Sequence, residues 1–131
     1  MNAQSGLNTY KQVDIGASVA SASPHELVSM LMAGVLKRIL DAKGAIQRNN
    51  VQAKGVAISK AISIIGELQG SLKDTETNAI AVELDRLYDY IVLCLTKANL
   101  ESSLDKLDEV AALMMKVKEG WDGIGTHATE G

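Results

Sequence analysis

Between Val51 and Leu72, apolar side chains recur at helical spacing and cover about half of a helix circumference. Ala57, Ile58, Ala61, Ile62, Ile64, Ile65, Leu68 and Leu72 make up this stripe. A helix in a simple bundle needs an apolar stripe of only about 100°. The surplus has to be covered by other helices, by a partner, or by both. The opposite face carries Gly55, Ser59, Ser63, Gly66 and Gly70. Each interior glycine costs a helix about 1 kcal/mol against alanine. Two readings fit such a face: close approach of a second helix, or a solvent face that tolerates small residues.

The rest of the chain supplies the covering helices. Ser23-Pro24-His25-Glu26 opens a helix, with Ser23 at the N-cap, Pro24 at the first helical position and Glu26 at the third. The serine hydroxyl and the glutamate carboxylate each satisfy a backbone N–H that the helix would leave unpaired. Leu27, Leu31, Val35, Ile39, Ala42 and Ile46 then recur every three or four residues as far as Asn49. Asn49-Asn50 is a turn and cap signal ahead of the wide-striped helix. Lys73-Asp74-Thr75 breaks the pattern, and a third helix is expected from about Glu76 to Asn99. Its core face is Ile80, Leu84, Leu87, Ile91, Cys94, Leu95 and Ala98, and Val82, Leu93 and Leu100 form a second stripe. Ser102 or Ser103 caps a fourth helix. Its inner face is Leu104, Leu107, Val110, Ala111, Met114, Val117 and Trp121.

Four such helices with short links predict an all-α fold, an antiparallel up-down four-helix bundle. Residues 1–22 read as an extended N-terminal tail, 23–121 as the bundle, and 122–131 as a frayed C-terminal tail. The 131 residues suffice for one domain with a core, and the 47% apolar content excludes a disordered chain. With one proline and no phenylalanine, that core must be built from Ile, Leu, Val, Met and Ala.

Several function classes fall away on composition. The net charge of −3 argues against nucleic acid, whose phosphates ask for a basic patch. Lys37, Arg38, Lys43 and Arg48 do cluster, but on the later turns of one helix, where the dipole favours cations. No stretch reaches the roughly 18 apolar residues of a membrane span. The N-terminus has no secretory signal, and the single cysteine, Cys94, fits a reducing compartment. A cytoplasmic location is expected. His25 and His127 are not preceded at three residues by a glutamate, so the di-iron bundle motif is absent. Zinc would need about four clustered ligands. No phosphate-binding glycine motif occurs, and Cys94 falls on a core face. No catalytic set and no cofactor site are read, and the chain is not expected to be an enzyme. What is left is apolar surface for a partner, commonly an amphipathic helix laid in a groove.

The motifs themselves carry a resemblance. Ala22-Ser23-Pro24-His25-Glu26-Leu27 followed by Met30-Leu31 and Gly34, then Lys60-Ala61-Ile62 with Ile64-Ile65, then Leu87-Tyr88-Asp89-Tyr90 and Ala98-Asn99-Leu100, then Glu109-Val110 through Trp121, stand in one order and spacing. Together they resemble the flagellar export chaperone family FliS over about residues 7–121. Tyr10 stands where that family has a tail tyrosine. One departure is Met32-Ala33, where the family usually has an aromatic and then an acidic residue.

The resemblance implies a cytoplasmic chaperone that binds the disordered C-terminal segment of flagellin. The segment becomes helical along apolar grooves, which prevents premature polymerisation. The loaded complex then docks at the gate of the flagellar type III export apparatus, and the chaperone itself uses no cofactor. For the groove, Ala57, Ala61, Ile64 and Leu68 of the second helix with Val82 and Leu93 of the third are the expected residues. Leu7 and Tyr10 are the expected tail latch and gate-docking residues. The competing reading is a homo-oligomeric helical bundle, at its smallest a homodimer, whose extra stripes bury against its own copies.

Overall fold

The computed structural model describes residues 21–72 and 78–130, with side chains described as far as Ile124. Leu7, Tyr10 and the 73–77 link lie outside the described residues. Four helices follow in order: α1 Pro24–Gln47, α2 Val51–Gly70, α3 Ala79–Glu101 and α4 Leu104–Glu130. Each packs on its sequence neighbours, and α4 closes back on α1. The result is the expected antiparallel four-helix bundle. α1 and α2 approach most closely, because Ala42 and Ala45 of α1 and Ala57 and Ala61 of α2 are small and buried.

The helix ends follow from local hydrogen bonds. The Ser23 hydroxyl accepts from Glu26 N–H at 3.1 Å while the Glu26 carboxylate accepts from Ser23 N–H at 3.4 Å. The Asn50 side chain accepts from Ala53 N–H at 3.0 Å. α3 begins at Ala79 because the Asn78 side chain takes both the Ile80 and Ala81 N–H groups. The two serines between α3 and α4 divide the work. Ser102 ends α3 in the left-handed conformation, φ 50°. Ser103 opens α4 by accepting from Lys106 N–H at 3.1 Å.

The core is aliphatic with one aromatic, Tyr88, whose hydroxyl burial pushes up to about 12. Met32 is fully buried and Ala33 exposed, so the first position departing from the family is a core filler and the second faces solvent. Cys94 is a buried free thiol in the same core. The α1 cations turn to carboxylates rather than to the helix end. Arg38 and Lys37 meet Asp41, and Lys43 meets Asp108 of α4. α4 does not stop at Trp121 but continues to Glu130. Asp122, one residue past the expected end, is tied to Ser29 of α1 at 2.6 Å and to Lys118 at 2.8 Å. These bonds hold the helix at Asp122, the first residue of the stretch that the glycine-containing sequence alone reads as frayed.

Candidate interaction groove between α2 and α3

Two polar contacts set the register of α2 against α3. At one end the Lys54 ammonium donates to the Asn99 carbonyl and to the Ser102 hydroxyl, both at 2.7 Å. At the other end the Gln69 amide donates to the Asp85 carbonyl at 3.3 Å, to the Asp85 carboxylate at 3.1 Å and to the Asp89 carboxylate at 2.9 Å. Between them lie about 22 Å of α2, fifteen residues at helical rise. That register sets Ile62 level with Val92 and Leu93.

The outer side of this seam is open. Ile62 and Val92 are half-buried against the core and form its floor. A methyl added at Gly55 or Gly66 would meet nothing within 4 Å. No helix of this chain therefore approaches the small face of α2 among the described residues. Of the two readings of that face, close approach by another of the four described helices is ruled out. On the α3 side Leu93 is 50% exposed and Leu100 81%. Val82 is half-buried about three turns before Leu93 on the same outward line.

The six residues expected to line a groove divide sharply. Ala57, Ala61, Ile64 and Leu68 are core residues, each no more than 6% exposed. As free groove surface that expectation is corrected. α2 has a neighbour on either side, α1 and α3, and both draw on its stripe, so its surplus width is spent inward. Only Val82 and Leu93 stay at the surface. The seam residues that sequence reasoning missed are Ile62 and Val92. Ile62 stood at the edge of the α2 stripe, but nothing marked Val92.

Tyr90 and Trp121 each bridge two helices. The Tyr90 hydroxyl donates to Glu109 of α4, and that hydrogen bond raises its pKa first, with Cys94 adding to it. Trp121 stacks on His25 with ring centroids 4.5 Å apart, and its indole N–H donates to the His25 carbonyl at 2.9 Å, closing one end of the bundle. No group of metal-ligating side chains stands together among the described residues. Among the described residues no helix is long and apolar enough to cross a membrane.

A family profile described as Flagellar protein FliS matches residues 6–128. The Flagellar secretion chaperone FliSB of Pseudomonas aeruginosa is 44% identical over 124 residues, covering 95% of this chain and 98% of that one. The Flagellar secretion chaperone FliS of Salmonella typhimurium is 37% identical over 130 residues, covering 98% and 96%. That of Escherichia coli is 39% identical over 122 residues, covering 92% and 90%.

Proposed function

The chain belongs to the FliS family of flagellar secretion chaperones, which are not enzymes, and on that premise we propose that its client is the C-terminal segment of flagellin. The segment binds as a helix in the α2–α3 seam and over the outer face of α3. This covers the surface by which flagellin polymerises, keeps it monomeric in the cytoplasm, and presents it to the flagellar type III export gate. The observation that carries the reading is the pairing of an exposed apolar line on α3 with the unobstructed glycine face of α2.

The energetics are compatible. Folding a disordered segment on a surface costs about 2–5 kcal/mol, which roughly 200 Å² of apolar burial offsets. Leu93 and Leu100 with the half-buried Ile62, Val82 and Val92 offer area of that order. Association entropy adds to the cost, so the outer face of α3 is engaged as well as the seam floor. Leu7 and Tyr10, as the latch, cover part of this surface when the client is absent and take part in gate docking when it is bound.

The test is calorimetric titration of the chaperone with a peptide of the flagellin C-terminal segment, with circular dichroism of the mixture against the sum of its parts. One-to-one binding with a gain of helix is expected. Leu93→Asp is expected to weaken binding at least about tenfold with its melting temperature unchanged, since exposed substitutions usually shift stability by under about 0.5 kcal/mol. No heat and no added helix would remove flagellin as client. A mass that rises with concentration would then leave the apolar line to self-association.

A further inference from the structure

The seam between α1 and α4 lies across the bundle from the α2–α3 seam. Two polar contacts fix its register: Ser29 meets Asp122, and Lys43 meets Asp108. In an antiparallel pair, either contact sets Leu36 level with Met115. The outside of this seam is apolar in its middle. Leu40 is 67% exposed and Met115 59%. Leu36 is half-buried, and Ala33 and Ala112 are exposed. Spacings of three and four put Ala33, Leu36 and Leu40 on one line of α1, and Asp105, Asp108, Ala112, Met115 and Glu119 on one line of α4.

Beyond that apolar middle, the two walls carry opposite charge. α1 has Lys43 and Arg48, and α4 has Asp105 and Asp108 at the same level. The Arg48 side chain folds back over Gly44, its Nη1 3.0 Å from where a methyl there would stand, which keeps the guanidinium on the outer side of α1. Arg48 and Asp105 are exposed and stand in no ion pair among the described residues. Such a face is self-complementary, because a second copy offers each wall the charge it lacks. Two twofold arrangements bring the face onto its copy. An axis across the helices lays α1 on α1 and α4 on α4 with the levels reversed, which sets Asp105 and Asp108 against Glu119 and Asp122 of the second copy, acid on acid. An axis along the bundle keeps every level and lays α1 of each copy on α4 of the other. Leu36 then packs on Met115, Leu40 on Ala112, and Arg48 meets Asp105, each twice.

We infer that the chain pairs with a second copy of itself through the α1–α4 face, with the twofold axis along the bundle. Two helices side by side are about 20 Å across, and α1 rises about 28 Å from Ser29 to Arg48. The face therefore offers about 550 Å² per copy, the low end for a specific interface. A dimer with a dissociation constant of about micromolar order matches that area. The pairing leaves the α2–α3 seam of both copies open. It is thus distinct from self-association through the exposed α3 line, and it does not depend on the flagellin reading.

Sedimentation equilibrium of the full chain, without flagellin, tests this. The mass is expected to rise from the 13.9 kDa of one chain towards twice that value with concentration. Leu40→Asp changes an exposed side chain, so it should keep the fold and weaken pairing at least about tenfold. Arg48→Asp and Asp105→Arg each set like charges together twice, and each should weaken pairing about tenfold. The double reversal restores the attraction and should return pairing to within a few-fold of the natural chain. That rescue also separates lost pairing from a weakened fold, because the double variant keeps both foreign side chains. Higher salt should weaken pairing of the natural chain several-fold. A single-chain mass at every concentration up to about 1 mM would overturn the inference, since an interface of micromolar order is then filled. So would a dimer that Leu40→Asp leaves intact, a double reversal no better than either single change, or a dimer that Leu93→Asp abolishes. Failure here leaves the client reading standing, and a failed flagellin titration leaves the pairing standing.

Discussion

Lys54 shows how one residue can join two helices. It lies on the inner stripe of α2, only 6% exposed, with an ammonium that no carboxylate among the described residues meets. It binds instead the Asn99 carbonyl in the last turn of α3, where the peptide dipoles leave negative partial charge. The left-handed backbone at Ser102 brings the hydroxyl that completes the site. Lys54→Met keeps the aliphatic stem and deletes the ammonium. It is expected to cost about 2 kcal/mol, the worth of hydrogen bonds to a charged group plus a helix-end carbonyl left unpaired. Urea unfolding would show it as a lower midpoint at unchanged slope, and an unmoved midpoint would contradict the role. The sequence hinted at this residue only by setting a lysine one turn before Ala57 and Ile58 on an apolar stripe. That the cation is buried, and on what, depends on a carbonyl 45 residues away.

At the scale of the element, α2 has two surfaces with opposite demands. Its stripe is buried between α1 and α3, and its Gly and Ser face is open. Gly55 and Gly66 hold no unusual backbone angle, and a methyl at either meets nothing. Alanine at each is therefore expected to raise stability by about 0.5–1 kcal/mol through helix propensity. The gains should add, because the sites are about 16 Å apart along the helix. Thermal melts of the single and double variants check this. If a client helix or the chain's own tail needs the close approach that only glycine leaves, the more stable variants will bind flagellin less well. The same element shows where pattern reading stops. Helical period told which residues share a face, but not how many neighbours that face would meet.

At the scale of the molecule, the ring of four helices is closed by contacts between the start of α1 and the Lys118–Asp122 turn of α4. His25 stacks on Trp121, and Ser29 and Lys118 both hold Asp122. The Lys118 hydrogen bond first, and that of Ser29 next, hold the Asp122 carboxyl below the usual aspartate range. A depressed acid stabilises the fold above its unfolded value and loses that contribution as the pH falls through the lowered folded value. Asp122→Asn should thus be less stable than the natural chain at neutral pH, with the gap closing in strong acid. Denaturation midpoints measured across that range test it, and a gap that persists in acid would assign the loss to packing instead. The sequence by itself determined the four helices, their order, the caps at Ser23 and Asn50, and the bundle class. Each of these is set by hydrogen bonds and apolar spacing within a few residues of chain. Only the tertiary structure decided that Ala57, Ala61, Ile64 and Leu68 are core, that Val82 and Leu93 stay outside, that Lys54 caps a distant helix, and that α4 runs past Trp121. Those outcomes depend on which element lies beside each face, and that is fixed by contacts between residues tens of positions apart.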